Sequence, residues 1–295
     1  MKKITIIALI LCTFQIAGQA QSWGFGFKVG LNTSGVMGPS EQNAAGEDLE
    51  SFGTIGGFQV GGLIQLKINK YVGLQTEVLF SQKGADYKYE GESFKTFTNN
   101  IGAVIQTSGD RKSLVNATNG YINIPLMAYV NITRNLNFSL GGYMDILVTS
   151  SARGETFYSN GILANNSGEV DDFLVDYSFD YYDDEAGIAP ATATSTTVLV
   201  GSENITIPSS EGAYYNYSSK DGNFYNPLDF GLVANLGWRF DNGLRFDLRT
   251  NYGLTDITNN FYDVSLSEKD ANGQGIPRTD FDRSISYQLT IGFGF

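Results

Sequence analysis

Histidine is absent from the 295 residues, cysteine occurs once and proline six times. Without histidine there is no His-based nucleophilic triad, no imidazole general base and no His-ligated metal centre. The one cysteine, Cys12, falls inside an N-terminal apolar stretch. A chain trimmed after that stretch has no thiol for disulfides, iron–sulfur clusters or nucleophilic work. Bases are scarce too: 19 Lys and Arg against 31 Asp and Glu leave a net charge of -12. That sign argues against nucleic acid, which calls for basic patches. No cofactor is expected. Beyond residue 20 no run of 18 apolar residues occurs, which excludes a helical membrane span. What abounds is glycine (35) and aromatic side chains (20 Phe, 17 Tyr), and with so little proline this argues against a disordered chain.

Residues 1–20 read as a secretory signal peptide. Lys2 and Lys3 start it, an apolar segment from Ile4 to Ile16 follows, and Gly18-Gln19-Ala20 supplies small residues for cleavage. The apolar part is too short for a transmembrane anchor. A lipoprotein acylated at Cys12 is disfavoured by the bulky Leu11 before it.

Residues 21–295 are dominated by period-two alternation. Trp23, Phe25, Phe27, Val29 and Leu31 share one face, with Gly24, Gly26, Lys28, Gly30 and Asn32 on the other. Similar alternation starts near Phe58, Val72, Ile122, Phe138, Leu228, Leu244 and Ile285, giving eight strands of about a dozen residues. Strands of soluble domains average about 5–6 residues, whereas a tilted bilayer-crossing strand needs about 9–11. Charges lie mid-strand on the polar face, and Trp23, Trp238, Phe240, Phe246 and Phe293 fall at strand ends, as interfacial girdles require. The expected fold is all-β, an eight-stranded antiparallel up-and-down transmembrane β-barrel.

Connections support this. Three are tight (Asn69-Lys70, Thr133-Arg134-Asn135 and Asp241-Asn242-Gly243) and four are long, at about 34–54, 85–118, 151–226 and 256–281. Short turns alternating with long loops match outer-membrane barrels, with both termini periplasmic and the long loops extracellular. The third loop is long enough to hide a further hairpin, so ten strands stand as the alternative count.

Gly26-Phe27-Lys28-Val29-Gly30-Leu31-Asn32, Gln75-Thr76-Glu77-Val78-Leu79-Phe80-Ser81-Gln82-Lys83-Gly84 and Tyr121-Ile122-Asn123-Ile124-Pro125-Leu126, in that order after a signal peptide, resemble the PorT-like outer-membrane β-barrel family of Bacteroidota. Phe293 and the terminal Phe295 are similar to the strand signal read by the barrel-assembly machinery. The resemblance implies a barrel in the outer membrane among lipid and lipopolysaccharide, mostly without an assigned activity, with a few members serving protein secretion. It covers most of the mature chain but not the long loops; the third, at about seventy-five residues, exceeds what the family leads one to expect.

The charges divide unevenly. The four long loops together carry -17, of which the third alone holds -10, whereas the polar faces of the strands are nearly balanced. On those faces stand Lys28, Lys67, Lys83, Arg239, Arg245 and Arg249 against Glu77, Asp145, Asp229 and Asp247. An eight-stranded barrel is wide enough only for its own side chains. These ten residues are therefore expected to pair into a plug; the alternative is a narrow, slightly anion-preferring pore lined by Arg245 and Arg249. In the third loop Asp183, Asp184 and Glu185 are the candidate ligands for a hard divalent cation, set against a simply solvated acidic surface. Glu268, Asp270, Asn272 and Gly273 only partly imitate a calcium loop, since Thr279 stands where its final Glu belongs. Tyr-rich stretches of the third loop suit either packing on the rim or recognition of a glycan or protein. The function expected is non-enzymatic: a structural or interaction component of the envelope, with protein partners there.

Overall fold

The computed structural model describes residues 22–99, 101–165 and 168–294. The expected signal peptide and Phe295 lie outside them. Alternation becomes β1 (Ser22–Met37), β2 (Glu50–Lys67), β3 (Val72–Thr98), β4 (Val104–Asn131) and β5 (Leu136–Leu163). The third connection carries β6 (Glu169–Val170), β7 (Phe173–Asp180), β8 (Ser195–Val200), β9 (Glu203–Pro208) and β10 (Ser210–Glu211). Then come β11 (Leu228–Arg239), β12 (Leu244–Gly253), the small hairpin β13 (Val264–Lys269) and β14 (Gly275–Pro277), and β15 (Arg283–Gly294).

Eight of these close a ring in the order β1, β2, β3, β4, β5, β11, β12, β15, every neighbour antiparallel. The first and last strands seal it, from Gly26 opposite Gly294 to Met37 opposite Arg283. The ring of these eight strands has no free edge, the arrangement a bilayer demands of backbone amides. The tight turns β2–β3, β4–β5 and β11–β12 stand at one end, together with the start of β1 and the end of β15. Gly243 closes the last of these turns at φ 88°, a conformation costly to any residue with a Cβ.

The ten-stranded alternative does not form among the described residues. β11 runs beside β5 only up to Leu228 opposite Ile146; beyond it β7 takes its place, pairing from Ser151 opposite Asp180 to Tyr158 opposite Phe173. The hidden strands of the third connection thus extend the wall upward instead of widening the ring. The segment 85–118 is likewise less a loop than a hairpin, with β3 and β4 paired from Ala85–Ala117 out to Thr98–Val104. Period-two pairing persists there after the strongly apolar outer face ends, so hydrophobicity marked where the membrane band stops and not where the strand stops. β3, β4 and β5 reach 27, 28 and 28 residues, a contour of about 90 Å at ~3.3 Å per residue. Their upper halves, together with the long connections, form a canopy on the end opposite the turns.

The outer face of the lower barrel is apolar and open: Trp23, Phe27, Leu31, Leu126, Leu140, Leu248 and Leu289 are all more than half exposed. An apolar band of this kind is what lipid covers. At the turn end Phe27 stacks on Phe293 and Phe240 meets Phe246 edge-on, an aromatic girdle built across neighbouring strands. The canopy has its own apolar clusters, one around Tyr158, Phe173, Val175, Val198 and Ile207, the other around Tyr121, Tyr181, Tyr214, Tyr225 and Tyr262.

Candidate functional site

Alternation alone turns Lys28, Gln75, Glu77, Asn235, Arg245, Asp247 and Arg249 inward, and ring closure brings them together. Lys28 Nζ lies 3.0 Å from Glu77 Oε1 and 3.0 Å from Asp247 Oδ2. Arg249 Nη2 donates to Glu77 Oε1 at 2.6 Å, and Arg245 donates through Nε to Asp247 Oδ1 at 2.7 Å and through Nη1 to Gln75 Oε1 at 2.9 Å. Asn235 Nδ2 donates to the same Asp247 oxygen at 3.0 Å. β12 stands four strands from β3 in either direction around the ring, so the bonds from Arg245 and Arg249 to Gln75 and Glu77 cross the full lumen. Burial of ions on this scale is tolerated only when they pair.

Two further groups extend the network. Lys83 pairs with Asp145 at 2.5 Å, with its ammonium over the rings of Tyr121 and Tyr143 and with Asn123 donating to the other Asp145 oxygen at 2.6 Å. Asp229 takes neutral donors instead: Tyr143 Oη at 3.1 Å, Ser284 Oγ at 2.6 Å and Thr255 Oγ1 at 2.7 Å. Lys67 and Arg239 stand apart from the buried set. Both are exposed beside a mouth cavity of about 420 Å³ at the turn end, where Arg239 Nη2 donates to Gln65 Oε1 at 2.9 Å. Gln75, Asn235 and Tyr143 join the charged residues in the lumen, in roles that depend on which strands end up opposite one another.

The canopy is a second built region. Above this network lies a cavity of about 710 Å³ whose walls include Phe52, Tyr89, Phe94, Tyr177, Phe179 and Tyr217. Third-loop tyrosines mostly pack here: Tyr181 meets Phe224 and Tyr225 at 5.1 and 5.2 Å, and Tyr262 meets Tyr214 and Tyr217 at 4.8 and 5.0 Å. Lys220, which sequence gave no reason to single out, fastens them. Its ammonium donates to the Tyr182 and Asp184 carbonyls at 2.7 and 3.1 Å and sits 4.5 Å above the Tyr214 ring.

The third-loop acids do not form a ligand set. Asp184 Oδ2 accepts the Asp180 and Ala213 amides at 2.9 and 2.7 Å, and Asp183 and Glu185 are exposed. Asp270 is spent on the Asn272 and Gln274 amides of its own turn, 2.9 Å each. The acids that do converge, among the described residues, are Asp263, Asp280 and Asp282, on the fourth connection. Burial, then the hydrogen bond and charge of Asp280, pushes the Asp263 carboxyl up to about 8 against the pull of Arg278, and burial and the same Asp280 charge push Asp282 up to about 6.

Glu41 ties the first connection to the fourth, accepting Ser265 Oγ at 2.6 Å and the Leu266 and Ser267 amides at 3.0 and 2.9 Å. Burial pushes its carboxyl up, but these donors outweigh burial and hold it below the usual carboxylate range. A depressed carboxyl contributes stability above its unfolded pKa and loses it as pH falls through the folded one. We therefore expect the Leu266 and Ser267 amide resonances to move together as the pH falls below the ordinary carboxylate range, and not within it. Glu41→Gln should show the acid-state shifts already at neutral pH.

A closed eight-stranded barrel with an apolar outer band and an ion-filled lumen defines a transmembrane barrel protein. Residues 19–259 match the family described as outer membrane protein beta-barrel domain, and the chain belongs to that family, which places it in the outer membrane. No curated protein matches the sequence. Among solved structures it is similar to Ail, the attachment invasion locus protein of Yersinia pestis, in complex with the heparin analogue sucrose octasulfate (10% identity, 93% of this chain and 99% of that one, TM-score 0.32). It is similar also to OprG from Pseudomonas aeruginosa (11%, 93% and 97%, 0.33) and to the outer membrane protease OmpT from Escherichia coli (7%, 92% and 96%, 0.25).

Proposed function

We propose that the chain is a non-enzymatic, non-conducting outer-membrane barrel whose working part is the canopy, a structural or interaction component of the cell envelope. The termini and tight turns face the periplasm and the canopy faces outward. Lipopolysaccharide surrounds the barrel on that side, the barrel-assembly machinery inserts it, and an envelope protein is the partner of the canopy. The PorT-like motifs of β1, β3 and β4 support a subunit of a secretion or other envelope assembly in Bacteroidota.

The observation that carries this reading is the ion network crossing the lumen from β12 to β3, which leaves the canopy as the part free to act. Absence of histidine argues in the same direction against the usual hydrolytic centres. A photo-crosslinking amino acid at Phe261 or Tyr182, both exposed on the canopy, tests it in whole cells. Discrete protein adducts are expected there and not at Leu140 on the lipid band; adducts equally absent from all three positions would contradict it.

A further inference from the structure

We propose that Asp263, Asp280 and Asp282 form a binding site for a divalent cation, Ca²⁺ by its geometry, that pins the fourth connection to the top of the barrel. One carboxylate oxygen from each lies within 4.8 Å of the others. Asp280 and Asp282 are two residues apart in the segment leading into β15. Asp263 is brought to them from before β13 by the Arg278 amide, which donates to its carbonyl at 2.8 Å.

Two observations beyond the clustering point to a ligand. Asp282 is only 5% exposed, and although its Oδ2 accepts Thr258 Oγ1 at 3.2 Å, its Oδ1 has no hydrogen-bond partner among the described residues. Asp263 and Asp280 lie beside it with their carboxyl groups hydrogen-bonded to each other, a pair that a bound cation would hold in place of the shared proton. The charge is also unbalanced. Arg278 serves Glu50 at 2.7 Å, Asp280, and Asp263 at 3.9 Å, so one guanidinium is shared among three carboxyl groups before Asp282 is reached. Asp282 has no ion pair among the described residues. Backbone walls off its free oxygen, since a Cβ on Gly38 would stand 1.8 Å from Oδ1.

A ligand set made of carboxylate oxygens alone, with no imidazole or thiolate in it, selects a hard cation. Ca²⁺ binds oxygens at about 2.3–2.6 Å, so two ligands of one ion can stand nearly 5 Å apart; Mg²⁺, at about 2.0–2.1 Å, needs them closer. Water would complete the shell on the open side. The bound ion would join two stretches of the fourth connection that are otherwise held by Arg278.

Terbium luminescence on the detergent-folded full chain tests this, because Tyr262 adjoins Asp263 and can sensitise a bound Tb³⁺. Saturable emission on tyrosine excitation, displaced by Ca²⁺, is expected for the native chain. Asp282→Asn should weaken Tb³⁺ binding tenfold or more, while Asp183→Asn with Glu185→Gln leaves it unchanged. Heat-modifiable gel migration reports folding of each variant. Should Asp282→Asn fail to fold, Asp280→Asn, whose side chain is partly open, is expected to show the same loss. No emission from the native chain, or equal emission from the folded Asp282 or Asp280 variant, would overturn the site.

Discussion

Glu77→Gln is expected to destabilise the folded barrel by about 3–5 kcal/mol, the range for removing one partner from a buried ion pair. Glu77 is fully buried and is the shared acceptor of Lys28, Arg249 and Gln75. Gln keeps the shape and an acceptor oxygen but removes the charge, leaving Asp247 to pair with Lys28 and Arg245 and taking from Arg249 its acid partner among the described residues. The cost comes from cations buried without a counter-charge, not from lost packing. Lys28→Met in the same chain should therefore recover part of it, a coupling of the kind two contacting residues show. The midpoint of urea unfolding, followed by the heat-modifiable gel band, measures both; an unchanged midpoint for Glu77→Gln would mean the network contributes nothing.

Tyr214→Ala is expected to cost a similar amount, about 3–5 kcal/mol, but in the canopy. Tyr214 is 0% exposed. Its ring packs on Tyr262 under the Lys220 ammonium, and its hydroxyl donates to the Tyr181 carbonyl and accepts the Phe224 amide, both at 2.9 Å. Truncation removes the ring, leaves the Phe224 amide without its acceptor and leaves the Tyr181 carbonyl with the longer Lys220 bond at 3.4 Å. Because these contacts join parts of the third and fourth connections above the wall, the loss should appear as local opening: faster protease cleavage between about 181 and 226 on intact cells, with barrel migration unchanged. Tyr214→Phe, which removes the hydroxyl alone, should fall between the two. Equal cleavage of Tyr214→Ala and the native chain would contradict a canopy built around this side chain.

The barrel was legible because a single periodicity repeats in every wall strand, and one face of each is constrained by lipid. Trp23 to Leu31, Leu228 to Phe240 and Ile285 to Phe293 alternate so strictly that outward and inward faces follow without coordinates. Mid-strand Lys28, Glu77, Asp145, Asp247 and Arg249 could be read as lumenal for the same reason. Which of them pair could not, because Glu77 and Arg249 are 172 residues apart and meet only once β3 and β12 stand opposite each other. The canopy was less legible. There the alternation of 85–118 continues with polar residues such as Lys88, Glu90, Lys112 and Asn116 on the outer face, so the strand signal persists while the membrane signal fades. Asp183-Asp184-Glu185 drew notice as a run, yet one is spent on backbone amides and the others are exposed. Asp263, Asp280 and Asp282 drew none, since convergence of separated acids is a property of the folded connection and not of local composition.

Planar-bilayer recording of the refolded barrel tests the central claim most directly. A lumen crossed by Arg245–Gln75 and Arg249–Glu77 bonds predicts no steady conductance in the native protein. Large, steady, ion-selective steps from the native chain would contradict the closed plug and make the lumen, not the canopy, the part that works.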